Sequence, residues 1–225
     1  MKWHSYEDSE SWARALADTI STDLEQALRT RGGAQLAVSG GRSPIPFFEA
    51  LSKADIDWPG VAISLVDERV VDPDDPDSNE RLVRSHLLVN HAAQARFKGL
   101  ASGSGTLRDC LERANQDTSD ITVAVLGMGD DGHTASLFPG APQLESALTA
   151  DPALRYAHIT PPAAPYERIS MTLPALREAG RLVLAISGRR KREVFEQARR
   201  KVTPALPISY FIDQTGVPLD VYWHA

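Results

Sequence analysis

The segment GMGDDGHTASLFPG, from Gly127 to Gly140, concentrates residue types able to do chemistry. Asp131 stands two residues before His133, with Gly132 between them and Gly127 and Gly129 just upstream. A carboxylate at that spacing can orient an imidazole and raise its basicity. Histidine is the commonest general base because its ordinary pKa of about 6.5 lies near working pH. The first six residues also fit G-x-G-x-x-G, the pattern of a dinucleotide-binding turn. Two carboxylates inside that turn, Asp130 and Asp131, would repel a pyrophosphate, and His133 falls where such a turn opens its helix. On local grounds the Asp–His pair has two readings: a catalytic pair on a tight turn, or a capping Asp beside a structural histidine. His4, His86, His91, His158 and His224 lack a comparable setting and read as structural.

A second group of residues is suited to an anion. Ser39-Gly40-Gly41-Arg42-Ser43-Pro44 is a small, glycine-rich turn that enters a helix, with Pro44 placed where a missing N–H is harmless. Exposed N–H groups in such a turn favour a phosphate. The spacing is not that of a Walker A loop, so the turn reads as a phosphate cradle without a nucleotide, or as a purely structural turn. Arg168 opens a short apolar run and Lys191 lies just past Ser187-Gly188; each could reach a phosphate or simply face solvent. Asp67-Glu68-Arg69 could serve the site or form an ion pair that stabilises the fold. No H-E-x-x-H or C-x-x-C pattern marks a metal site. Ser39 is not in a G-x-S-x-G elbow.

These residues need elements to hold them. Trp12, Leu16, Ile20, Leu24 and Leu28 share one helical face over residues 9–31, and Gly32-Gly33 ends that helix. Apolar runs at 35–38, 61–66, 121–126 and 181–186 read as buried strands. Shorter strands are expected at 155–160, 169–173, 208–212 and 219–223. Helices are expected over 44–51, from Ser78-Asn79 through Leu88, around Cys110, and over 189–200. DPDDPD (72–77) and SGSGT (102–106) read as loops. Alternating strands and helices predict an α/β fold with a mostly parallel sheet covered on both faces. Ligands bind outside the carboxyl ends of such strands. SGGRSP, DER, GMGDDGH and SGRRK each follow a strand, so the four can converge on one crevice.

The whole chain sets the bounds. Its 225 residues suit one domain, expected to span 1–225. Hydrophobic content of 42% and charged content of 24% are ordinary for a globular protein. A net charge of −6 disfavours a general nucleic-acid binder. The one cysteine, Cys110, allows no internal disulfide and reads as a small core residue in a reducing compartment. With no signal-like stretch at the N-terminus and no long apolar run, no membrane partner is expected and a cytoplasmic location is.

Taken together the motifs resemble the 6-phosphogluconolactonase family, within the superfamily that includes glucosamine-6-phosphate deaminase. The resemblance rests on SGGRSP (39–44), DERVV with SNERLVRSHLL (67–88), LGMGDDGHTASLFPG (126–140), RISMTLPAL (168–176), SGRRK (187–191) and the tail 206–223. It covers nearly the whole chain. The deaminases continue the GH motif toward a helix with a catalytic glutamate, whereas here no acid follows until Glu145. Asp72 stands where the family usually has Pro, and Ser43 where Thr is common. The resemblance implies a Rossmann-like three-layer α/β/α fold without a nucleotide. It implies hydrolysis of 6-phospho-D-glucono-1,5-lactone to 6-phosphogluconate in the oxidative pentose phosphate pathway, with no metal or organic cofactor. It places His133 as base, Asp131 as its orienting acid, and Asp67 at sugar hydroxyls or on the loop. Gly40, Gly41, Arg42, Arg69, Arg168 and Lys191 are expected at the phosphate. The partner is then a small sugar-phosphate lactone, and a monomer is favoured. An amino-sugar phosphate deaminase and a non-catalytic sugar-phosphate sensor are the alternatives.

Overall fold

Asp8 and Gly32 bracket the first helix, Gly32 at the stop the sequence expects. The Asp8 side chain accepts from Ser11 N at 2.7 Å, and Gly32 takes the left-handed conformation (φ 72°) that closes the last turn. The computed structural model describes residues 1–101 and 105–225. In chain order the elements are β1 (Lys2–Tyr6), α1 (Ser9–Arg31), β2 (Ala34–Val38), α2 (Ile45–Leu51), β3 (Val61–Leu65), β4 (Asp67–Arg69), α3 (Asn79–His86), β5 (Arg96–Lys98) and α4 (Leu107–Asn115). There follow β6 (Val123–Leu126), α5 (Leu144–Leu148), β7 (Tyr156–Ile159), β8 (Arg168–Met171), α6 (Leu173–Arg177), β9 (Leu182–Ser187), α7 (Gly188–Ala198), α8 (Ile208–Asp213) and β10 (Leu219–His224).

Among the described residues, seven strands form one parallel sheet in the order β1-β10-β9-β6-β2-β3-β5. Every residue of β2, β3 and β6 is buried. That is why these strands read as continuous apolar runs rather than as alternating ones. Trp12, Leu16, Ile20 and Leu24 of α1 are at most 1% exposed, and each such side chain contributes about 1.5–3 kcal/mol on burial. The chain moves from β2 outward to β3 and β5, then returns to β6 on the other side of β2 and proceeds to β9 and β10. The order therefore reverses between β2 and β6, and a ligand crevice is expected outside their carboxyl ends.

A separate antiparallel sheet, β4-β8-β7, stands beyond β3. Val66 joins the two sheets: its N–H donates to Val38 O and its carbonyl accepts from Met171 N. The strands expected at 155–160 and 169–173 are present as β7 and β8, but they belong to this small sheet. Thr172 leaves the strand to cap α6, accepting from Ala175 N.

Two expectations are corrected. Residues 208–212 form helix α8, not a strand. ISYFI has a strand-like composition, but its fully buried apolar side chains, Ile208 and Phe211, are three positions apart, which is helical spacing. Pro207 precedes them in the α conformation. Conversely, Lys2–Tyr6 is a strand that the sequence reading missed. KWHSY has no apolar period, and it is ordered by pairing along β10 at the sheet edge. The loop expected at 102–106 lies largely outside the described residues.

Candidate active site

Every expected site residue except Asp131 lines one cavity of about 530 Å³, at the reversal point between β2 and β6. Asp131 reaches it through His133. The volume lies within the range of small-ligand sites. Four cations, Arg42, Arg69, Arg168 and Lys191, face two carboxylates, Asp67 and Asp77, around its wall. The local surplus is positive in a chain whose net charge is −6.

The turn after β6 is held by its own backbone. Gly129 N donates to His133 O at 2.9 Å, and Gly132 N to Gly129 O at 3.0 Å. Asp131 Oδ1 accepts from His133 N at 3.1 Å and meets His133 Nδ1 at 2.6 Å. A carboxylate at Nδ1 selects the tautomer with the proton there, leaving Nε2 as the basic nitrogen. Burial pushes the Asp131 carboxyl up, but the hydrogen bonds and charge of His133 outweigh it and hold it below its ordinary value. Gly129 is required by space: a Cβ there would lie 2.3 Å from the imidazole and 2.6 Å from Asp131 Oδ1. From the other side the Phe138 ring packs on the imidazole, centroids 4.4 Å apart. Helix α8 supports the turn from beneath, with Ile208 N donating to Gly132 O at 2.9 Å. No helix opens after GMGDDG; the next begins at Leu144. The G-x-G-x-x-G match therefore lacks the helix that makes it a dinucleotide site.

The turn after β2 has the features of an anion cradle. The N–H groups of Gly40, Gly41, Arg42 and Ser43 donate to no protein acceptor among the described residues. Gly41 sits at φ 88°, where other residues are strained. Ser39 Oγ is buried without a partner at the cavity wall. Helix α2 begins only at Ile45 and is short, so the loop itself supplies the donors.

Asp67, Glu68 and Arg69 divide their tasks. Glu68 is the structural member, though not through an ion pair. Its carboxylate accepts from the N–H groups of Arg69, Asn79 and Glu80 at 2.7–2.8 Å and from Ser78 Oγ at 3.1 Å, which anchors the start of α3. Burial pushes its carboxyl up, and the three N–H groups pull against that. Asp67 is 7% exposed and accepts from Ser136 Oγ at 2.5 Å. Ser136 N in turn donates to Ser170 Oγ at 3.1 Å, so the loop after His133 is tied to the small sheet. Arg69 donates to the backbone carbonyl of Asp77.

Arg168 is 6% exposed, and Nη2 donates to Pro165 O at 2.9 Å. Its Nε is buried with no partner. Burial, and then the charge of Arg69, push the guanidinium down from its ordinary value. Its Cζ lies 5.8 Å from the Phe138 ring, so one aromatic side chain touches both the imidazole and this guanidinium. Lys191 sits in the first turn of α7. Burial lowers its pKa, and the charge of Asp130 opposes the fall. Among the described residues, no three His, Cys, Asp or Glu side chains converge as a metal site.

The sequence did not assign Asn79, Ser136, Phe138 or Tyr166 to the site, yet all four line the cavity. Ser136 and Phe138 lie within the GHTASLFPG segment, and Asn79 within SNERL, so their motifs were a usable signal. Nothing local marks Tyr166. No helix among the described residues is long and apolar enough to cross a membrane.

Residues 7–223 match the family of glucosamine-6-phosphate isomerases/6-phosphogluconolactonase. A 6-phosphogluconolactonase of Neisseria meningitidis serogroup A is 43% identical over 226 residues, 98% of each chain. One of Rhizobium meliloti is 42% identical over 227 residues, covering 98% of this chain and 97% of its own. The crystal structure of a 6-phosphogluconolactonase from Shewanella baltica superimposes with a TM-score of 0.95 at 38% identity, over 100% of this chain and 98% of that one. The chain belongs to the glucosamine-6-phosphate isomerase/6-phosphogluconolactonase family, and its fold is that of the lactonase members.

Proposed function

We propose that the chain hydrolyses 6-phospho-D-glucono-1,5-lactone to 6-phospho-D-gluconate, the hydrolytic step of the oxidative pentose phosphate pathway, with His133 as general base. One observation carries the reading of the site. A carboxylate-oriented imidazole with a basic Nε2 lines the same cavity as two arginines set opposite each other. The first suits an activated ester and the second a phosphate.

His133 Nε2 takes a proton from a water as its oxygen adds to C1 of the lactone. The C1 carbonyl becomes a tetrahedral oxyanion, whose charge needs nearby N–H donors. Asp131 at Nδ1 stabilises the imidazolium that results. When the intermediate collapses, the bond from C1 to the ring oxygen breaks. His133 returns its proton to that oxygen, which becomes the 5-hydroxyl. The free base is restored and one water has been added. Arg69, Arg168, Lys191 and the Gly40–Arg42 turn hold the phosphate. Asp67 acts mainly through Ser136, keeping the His133 loop against the small sheet.

The test is the disappearance of lactone generated in situ, with a blank for spontaneous opening. The parent should consume it rapidly. His133→Ala should lower kcat by roughly 10²–10⁴, the scale of a lost general base. A variant within about threefold of the parent would remove His133 from that role. Blank-level rates with the parent, together with ammonia release from glucosamine 6-phosphate, would move the chain to the deaminase branch.

A further inference from the structure

Tyr166 is a large aromatic residue left 42% exposed at the cavity rim, and its backbone is at φ 69°. A bulky side chain adopts that left-handed conformation only where the surroundings impose it. The neighbours are pinned on both sides: Pro165 O accepts from Arg168 Nη2, and Glu167 O from Val70 N. The Tyr166 hydroxyl then reaches across to Asp77 Oδ2 at 3.1 Å. Asp77 ends the DPDDPD loop, and its carbonyl accepts from the Arg69 guanidinium. Arg69 and Arg168 are thus each tethered to the backbone of a different loop, and Tyr166–Asp77 is the side-chain bond joining those loops.

We propose that Tyr166 is a positioning residue that, through Asp77, holds Arg69 beside Arg168 and so sets the preference for a phosphorylated ligand. This rests on the reading of the cavity as a sugar-phosphate site. An arginine side chain gives up considerable rotamer freedom when it binds an anion. A guanidinium already tethered through one N–H has lost part of that freedom before the ligand arrives. The strap therefore acts on the phosphate end of the cavity and not on His133.

The experiment compares the parent with Tyr166→Phe, which keeps the ring and deletes the hydroxyl. Calorimetric affinities for 6-phospho-D-gluconate and for D-gluconate are measured beside lactone hydrolysis. The variant should bind 6-phospho-D-gluconate about three- to tenfold more weakly, the net worth of one typical hydrogen bond. Its preference over D-gluconate should fall by the same factor, and KM for the phosphorylated lactone should rise more than kcat falls. Asp77→Ala removes the acceptor but keeps the carbonyl that Arg69 uses. It should reproduce the loss, and the double variant should be no worse than either single one. It also carries the test if Tyr166→Phe folds poorly. Unchanged preference in both variants, or additive losses, would overturn the strap. A parent that turns over no lactone yet binds 6-phospho-D-gluconate in a Tyr166-dependent way would uphold the strap and sink the lactonase reading. A parent with no preference for the phosphorylated ligand would sink the strap.

Discussion

Arg69 and Arg168 are direct cross-strand partners in the antiparallel pairing of β4 with β8. Like charges directly opposite each other weaken a sheet by roughly 0.2–1 kcal/mol. Here the cost falls at a cavity wall, where the Arg168 Nε is buried and unbonded. An anion between the guanidinium groups would relieve the repulsion and satisfy the donor. A phosphate fits there, since its oxygens match the fork of an arginine.

Arg168→Ala should therefore raise KM for the phosphorylated lactone by roughly tenfold to a hundredfold, with a smaller change in kcat. Steady-state kinetics on the purified variant would show it, and an unchanged KM would take Arg168 out of the phosphate site. Arg69→Gln should also raise KM. Without ligand it should melt no lower than the parent, because the cross-strand repulsion is gone.

Gly129→Ala puts a methyl group where the imidazole and the Asp131 carboxylate now lie, at 2.3 and 2.6 Å. Neither group can retreat alone without breaking the 2.6 Å bond between them, and moving both carries the imidazole off its place in the cavity. The variant should lose activity on the scale of His133→Ala, roughly 10²–10⁴ in kcat. Its affinity for 6-phospho-D-gluconate, governed by the arginines, should change far less. Equal losses in turnover and affinity would mean that the turn holds more than the base.

Acid stability should report a different pair. Burial raises the Asp117 carboxyl, but hydrogen bonds from Lys98 Nζ at 2.8 Å and from Ser119, with the Lys98 charge, bring it down to about 2. A folded value below the unfolded one adds stability above the unfolded pKa, and that stability is lost as pH falls through the folded pKa. Asp117→Asn should lower the melting temperature at pH 7, and the gap to the parent should close between about pH 4 and pH 2. Melting scans across that range would check it; a gap independent of pH would contradict the assignment.

Much of the site was legible because its chemistry is local in the chain. Asp131 and His133 are bound within one turn, and the glycines that permit the turn stand beside them. The cradle at 39–43 and Lys191 after β9 could be placed by a rule of parallel sheets, that ligands gather at carboxyl ends. That rule brought the separate motifs to one crevice without any knowledge of contacts.

Long-range register was decided only in three dimensions. Nothing near Arg69 says that it will stand opposite Arg168, because that depends on which strands of the small sheet pair and in what phase. KWHSY became a strand because β10 offered it an open edge, and ISYFI became a helix because its two buried apolar side chains met the core three positions apart. The Tyr166–Asp77 bond joins two loops that no local pattern connects. The sequence by itself determined the turns, the Asp131–His133 pair and most of the order of strands and helices, since those follow from near-neighbour geometry and apolar period. Tertiary structure decided which distant charges face each other, since a cross-strand pair exists only once the whole sheet has chosen its register.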